Sequence, residues 1–165
     1  YHHAENDVAM LLNWLPKDEP CPVPDFATHV IGLGGLVLND DKEVLCIKEK
    51  SAPAATSQGS WKLPGGLSDP GEDWAETAAR EVREETGVDT ELEGVVSVRH
   101  SHGRRFGQGD LYVVVRLRAT SDMIQLDASE LLDARWMRHD ELERRAETAN
   151  DHGASLDGKV SIANL

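Results

Sequence analysis

The sequence predicts one mixed α/β domain, and three observations carry that expectation. The run from His29 to Leu38 is rich in β-formers, and after a turn at Asn39-Asp40-Asp41 the residues Val44–Ile47 resume the same character. Residues 73–86 read as an uninterrupted helix of about four turns, with Gly87 placed to end it. Two more strand-like runs follow, near Glu93–Val98 and Leu111–Leu117. At 165 residues the chain is long enough for one domain with a core of its own.

In chain order, residues 1–15 mix polar side chains with the apolar stretch Val8-Ala9-Met10-Leu11-Leu12, whose spacing does not separate helix from strand. Pro16, Pro20, Pro22 and Pro24 make 16–26 a connector. Residues 1–26 are therefore expected to be an arm and connector, the tail of a preceding domain, with the domain proper at 27–165. The chain opens on Tyr1 without a basic or apolar leader, so a mature or trimmed chain is expected. His29–Leu38 and Val44–Ile47 form a hairpin in this reading. Gly32, Gly34 and Gly35 suggest a phosphate cradle, but no helix follows them, so bulged or closely packed strand is the better expectation. Ser51–Ser60 is small and polar and would suit a mobile lid. Trp61–Gly66 leads into a turn at Asp69-Pro70-Gly71, residues 134–137 make a short strand, and Asp140–Thr148 a polar closing helix.

Composition narrows the function. The formal net charge is −13, which repels phosphate backbones and argues against general nucleic-acid or anionic-membrane partners. A small phosphorylated substrate is still compatible if cations neutralise the local charge. No stretch is long and apolar enough to span a bilayer. Cys21 and Cys46 form no metal or disulfide pattern, and reduced thiols suit a cytoplasmic setting.

The informative segment runs from Gly66 to Val88. It reads Gly66, five residues, Glu72, seven residues, Arg80-Glu81-Val82, one residue, Glu84-Glu85, one residue, Gly87-Val88. Glu81, Glu84 and Glu85 stand at i, i+3 and i+4, which puts three carboxylates on one helical face. They border a stripe of Trp74, Ala75, Ala78, Ala79 and Val82, expected to be the buried face. Clustered carboxylates repel unless cations bind there, and an oxygen-only donor set selects Mg²⁺ or Mn²⁺ over zinc. Arg80 can pair with Glu76 or Glu84 at i±4, whereas Arg83 and Glu76 look like solvated charges. Gly65 and Gly66 would let backbone approach a metal or phosphate closely, or simply make a tight turn after Pro64.

That spacing is the whole of the Nudix box, and the chain resembles Nudix hydrolases over roughly residues 1–145. Further motifs carry the likeness: Ala27-Thr28-His29-Val30, Glu49-Lys50, Trp61-Lys62-Leu63-Pro64, Arg99 with His102, Phe106-Gly107 with Asp110-Leu111, and Trp136-Met137. Together they are similar to the plant-type ADP-ribose/NADH diphosphatases and a related animal Nudix protein encoded antisense to a growth-factor gene. The resemblance implies an α/β/α sandwich with a mixed sheet between helices. It implies a Mg²⁺- or Mn²⁺-dependent hydrolase that cleaves a diphosphate linked to a nucleoside, with ADP-ribose or NADH as substrate. A nucleotide sugar, FAD or a damaged nucleoside triphosphate is the alternative substrate, and a non-catalytic nucleotide-sensing module the alternative class. In this reading Glu81, Glu84, Glu85 and the Gly65 carbonyl hold the metal, Arg80 orients the carboxylates, and relatives of this branch tend to form homodimers. The general base lies in the box or on a distant loop, for which Glu130 is the candidate. The chain also departs from substrate signatures: no proline follows Pro70, and the next tyrosine after the box is Tyr112.

Arg99, His102, Arg104 and Arg105 cluster in an otherwise acidic chain and are candidates for holding phosphate or a base, with a solvated loop as the equal alternative. Asp110 is a candidate for metal or ribose support. Phe106 and Trp61 are candidates for stacking on adenine, core packing being the stronger expectation for Trp61.

Overall fold

A computed structural model describes residues 2–5, 7–23, 27–50, 61–103 and 107–151. The expected lid at 51–60 and the candidates Arg104, Arg105 and Phe106 lie outside the described residues. Strands β1 (His3–Glu5) and β2 (Val8–Met10) pair antiparallel as a small separate sheet, so the first apolar stretch is strand as far as Met10. The main sheet contains β3 (His29–Leu38), β4 (Val44–Glu49), β5 (Thr90–Ser101), β6 (Gly109–Ala119) and β7 (Leu131–Met137). Its order is β5-β6-β3-β4-β7. The pair β3·β6 is parallel, running from His29 opposite Gly109 to Leu38 opposite Arg118, and the other pairs are antiparallel.

Helices α1 (Trp74–Thr86) and α2 (His139–Asp151) cover opposite faces. Leu33, Val37, Leu45, Val113, Val115 and Leu117 pack with Ala78 and Val82 of α1. Leu36, Val44, Cys46, Val114 and Met137 pack with Leu142 of α2. This is the expected sandwich, because alternate residues of each strand feed opposite layers.

The expected hairpin of β3 and β4 holds only at its turn, where Leu38 faces Val44. Beyond that point the two strands part, and residues 61–68 fill the gap. Ile47 and Lys62 exchange backbone bonds of 2.9 and 3.0 Å, while the N–H groups of Gly35 and Leu33 donate to the carbonyls of Pro64 and Gly66, each at 2.8 Å. The cause is backbone satisfaction: separated strands expose donors that the inserted segment accepts from. The glycines of β3 answer to close packing, as expected. A Cβ at Gly35 would stand 2.8 Å from a Val82 methyl, so Gly35 is where α1 lies down on the sheet.

Helix α1 begins at Asp73, whose N–H donates to Glu76 at 3.2 Å, and ends at Gly87, with φ +70° and its N–H on the Arg83 carbonyl at 2.8 Å. Its buried residues are Thr77, Ala78, Val82, Glu85 and Thr86, and Trp74 is exposed. The buried face is thus turned from the expected alanine stripe toward the carboxylates. Two threonines tolerate that turn because their hydroxyls are satisfied: Thr77 donates to Glu72 at 2.8 Å and Thr86 to the Val82 carbonyl at 2.6 Å.

Candidate active site

The site is the seam between α1 and the inserted segment. Gly65 has φ +149°, and a Cβ there would run into the Leu33 carbonyl. Gly66 faces Glu81 so closely that a Cβ would stand 2.6 Å from its carboxylate. The glycine pair therefore brings bare backbone against two glutamates. The Gly65 N–H donates to Glu85 Oε2 at 2.8 Å. The carbonyls on either side, of Pro64 and Gly66, are taken by β3, and that of Gly65 accepts no hydrogen bond among the described residues.

The three box carboxylates occupy different environments. Glu85 is 6 % exposed, whereas the side chains of Glu81 and Glu84 are 17 % and 61 % exposed. Burial pushes the Glu85 carboxyl up to about 7, and Glu81 and Glu49 nearby add to the rise while the Gly65 N–H and Lys62 oppose it. Glu84 turns outward to Arg80. Among the described residues, no three acidic, histidine or cysteine groups stand close enough together to hold an ion.

Arg80 is the hub of the network. It grips Glu72 with two bonds, Nε to Oε1 at 2.7 Å and Nη2 to Oε2 at 3.0 Å, and reaches Glu81 at 2.9 Å, Glu84 at 3.0 Å and the Leu67 carbonyl at 3.2 Å. The expected pairing with Glu84 is present. The other expected partner, Glu76, is not among its bonds; Glu76 caps the helix instead. The Arg80 guanidinium holds the Glu72 carboxyl down to about 2, helped by the Asp69 and Thr77 donors. Arg80 thus ties the loop before α1 to the face that carries Glu81.

The outer candidates are scattered. Glu130 is exposed, and its carbonyl accepts from the Lys50 N–H at 2.9 Å, at the end where β4 meets β7. Arg99 on β5 lies over the Tyr112 ring, 5.4 Å from its centre. Asp110 is half-buried on β6, opposite Val30 and Ser101. His102 is exposed, its ring centre 4.2 Å from that of His100, whose Nε2 lies 2.8 Å from His29 Nε2. Trp61 packs against the α2-side core with the Arg135 guanidinium 4.6 Å from its ring centre, which agrees with a packing role. Sequence reasoning passed over Tyr112 and the Lys62–Glu49 ion pair, both of which bear on Glu85. Their signal is tertiary, because nothing in the box points to them.

Comparison with known proteins fits this geometry. A family model described as "NUDIX domain" matches residues 28–157. The chain is 48% identical over 138 residues to Nudix hydrolase 8 of Arabidopsis thaliana, covering 83% of this chain and 37% of that protein. It is 42% identical over 145 residues to nucleoside diphosphate-linked moiety X motif 6 of Xenopus laevis, covering 86% and 64%. The chain therefore spans between about a third and two thirds of the length of these relatives. Among solved structures, the NUDIX domain of Shewanella oneidensis NrtR complexed with ADP ribose superposes with a TM-score of 0.59 at 18% identity, covering 87% of this chain and 94% of that one. That likeness speaks for the fold.

Proposed function

The chain belongs to the Nudix family, and from that premise we propose that it hydrolyses the diphosphate linkage of a nucleoside diphosphate joined to another group, ADP-ribose or NADH, with Mg²⁺ or Mn²⁺. The observation that carries this reading is a carboxylate buried at the box helix, Glu85, held by the Gly65 N–H, beside a second one, Glu81, against which Gly66 packs. A desolvated carboxylate pair is costly unless a cation or a proton neutralises it. By the chemistry of its donors, though not by their present spacing, the set suits a hard divalent ion: Glu81 and Glu85, the unclaimed Gly65 carbonyl, and Glu84, which would turn in from Arg80, all oxygen. Such an ion would neutralise charge that develops on the diphosphate oxygens.

The chain's own groups do the rest. Arg80 fixes the positions of Glu81 and Glu84, so the carboxylates are organised before substrate arrives. Water attacks phosphorus, a new P–O bond forms, the bridging P–O bond breaks, and the water proton passes to a carboxylate base. Glu130 is the candidate base outside the box helix, and a Glu130→Gln protein with unchanged kcat would remove it. From ADP-ribose the products are AMP and ribose 5-phosphate. The name of the amphibian relative agrees with a nucleoside diphosphate substrate, and that of the plant relative with a hydrolase. Residues 1–26 are read as an arm and connector, and the active species as a cytoplasmic homodimer, which light scattering on the purified chain would test.

The deciding experiment measures release of AMP from ADP-ribose and NADH, beside a nucleotide sugar and FAD, with Mg²⁺ or Mn²⁺. Wild type is expected to turn over at least one of them, and Glu85→Gln to lose nearly all of that rate. Equal rates in the two proteins would end the proposal.

A further inference from the structure

The α2-side face of the sheet carries two polar groups that the site described above leaves unused. Tyr112 on β6 stands opposite Gly32 on β3 and Arg99 on β5, so the three share one face. The phenol leans along β3 until its hydroxyl rests on Gly34. A Cβ at Gly34 would run into that hydroxyl, with the ring carbon that bears it 2.9 Å away. The glycine turn also reaches Gly34: a Cβ on Gly65 would be 2.9 Å from the Gly34 Cα, and the Gly65 N–H is the group bonded to Glu85. The Tyr112 hydroxyl and the turn that faces the carboxylates thus both pack against Gly34.

Both groups are donors without acceptors. Arg99 Nε is buried and has no hydrogen-bond partner among the described residues. The Tyr112 hydroxyl makes no hydrogen bond among them either. The buried Arg99 Nε costs stability while unpaired and calls for an acceptor, which the Tyr112 hydroxyl, also without a partner among the described residues, can share. The guanidinium lies over the phenol ring and closes that face to a stacking base. What the pair offers a ligand is hydrogen-bond donation and positive charge. Asp110, two residues before Tyr112 on the same strand, sets a carboxylate near the phenol. Burial raises the phenol's pKa, with Glu85 and Asp110 adding to the rise and Arg99 opposing it, so the hydroxyl keeps its proton at neutral pH.

We propose that Arg99 and Tyr112 form an oxyanion wall that donates to non-bridging oxygens of the substrate's diphosphate, while base and sugar are held elsewhere. This rests on the hydrolytic reading above and adds to it two positions that the box does not contain. The wall is specific for a charged, acceptor-rich group next to the glycine turn, and indifferent to which base the substrate carries.

Calorimetry at fixed free Mg²⁺ tests it with two probes that cannot be hydrolysed: methylenediphosphonate, which has no base, and α,β-methylene-ADP, which has one. Tyr112→Phe keeps the ring and removes only the hydroxyl, and is expected to weaken both probes by about tenfold. Arg99→Gln is expected to weaken both by roughly 30-fold or more. Thermal melts of each variant check that the fold is kept. Unchanged methylenediphosphonate binding in both variants overturns the wall, and so does a loss confined to α,β-methylene-ADP, which would place the contact on the base. A wild type that turns over no nucleotide yet shows the parallel loss defeats the proposed reaction and supports the wall. Turnover with unchanged diphosphonate binding does the reverse.

Discussion

The two helices of the sandwich have the same length, 13 residues, and both are acidic, yet they use their carboxylates in opposite ways. On α2, Asp140 pairs with Arg144 at 3.1 Å and Glu141 with Arg145 at 2.7 Å, in i,i+4 pairs open to water. Such pairs contribute only a few tenths of a kcal/mol each. On α1, Glu85 is buried, Glu81 nearly so, and one arginine joins Glu72, Glu81 and Glu84. The difference comes from what each helix meets. Around α2 the acids meet solvent and their own arginines; along α1, Glu85 and Glu81 pack against a glycine turn while Arg80 holds Glu81 and Glu84. A count of acidic residues does not make a site, but the surface that the acids face does.

The widest gap between the helices is expected in catalysis. Glu81→Gln on α1 should lower kcat/KM for ADP-ribose by about 10³ or more, roughly 4 kcal/mol of transition-state stabilisation, while Glu141→Gln on α2 should change it by less than about twofold. Comparable effects from the two would erase the contrast. Next comes the turn. Gly66→Ala would press a methyl against the end of the Glu81 side chain, which can swing away, so melting should shift little while activity falls about 100-fold. Gly65→Ala would meet backbone at φ +149° and should cost stability as well, which a urea titration would read.

The pH dependence sharpens the comparison further. The folded Glu85 carboxyl sits near 7, above its ordinary value of 4.5, so the folded chain holds the proton more tightly than the unfolded one. Its stabilising effect is complete below about pH 4.5 and fades as pH rises through 7, by on the order of 3 kcal/mol. In chelator, wild type should therefore lose stability across that window, and Glu85→Gln should not. Added Mg²⁺ should restore wild type at pH 8. A wild-type curve flat between pH 5 and 8 would contradict the burial argument. Glu72 has the opposite sign: with its carboxyl held down to about 2, its contribution is present above pH 4.5 and lost as pH falls toward 2.

Smallest of all is the arginine comparison. Arg80→Ala strands Glu72 and Glu81 and should cost about 2 kcal/mol in chemical denaturation. Arg145→Ala breaks one exposed pair and a contact with the Trp61 ring, and should cost below about 1 kcal/mol. Equal costs would mean that the α1 network is no more than surface pairing.

Much of this was legible in order along the chain. The box helix, its end at Gly87, the strands of the sheet and the closing helix follow from local chemistry: periodicity, β-branching, and a glycine at the left-handed position. The pairing of Arg80 with Glu84 follows from helical spacing alone. Two local readings held only in part, for a shared reason. The buried stripe was assigned to Trp74, Ala75, Ala78, Ala79 and Val82 by hydrophobicity; Ala78 and Val82 are buried as expected, but Trp74 is exposed and Glu85 and two threonines complete that face, because the glycine turn and nearby acceptors satisfy them. The hairpin of β3 and β4 was assigned from a turn signal, yet it opens to admit residues 61–68. In both places a segment distant in sequence supplied the hydrogen bonds that decided the outcome.

By itself the sequence determined which residues could carry the chemistry, since spacing along a helix fixes which carboxylates share a side and a glycine fixes where backbone lies bare. Only the tertiary structure decided which of those carboxylates lost its water, and that the Tyr112 hydroxyl rests on Gly34, which the turn also meets, with Arg99 over its ring. The reason is that burial and register are properties of packed surfaces: a glutamate's pKa and a phenol's reach depend on what another part of the chain places opposite them, and no local pattern records that.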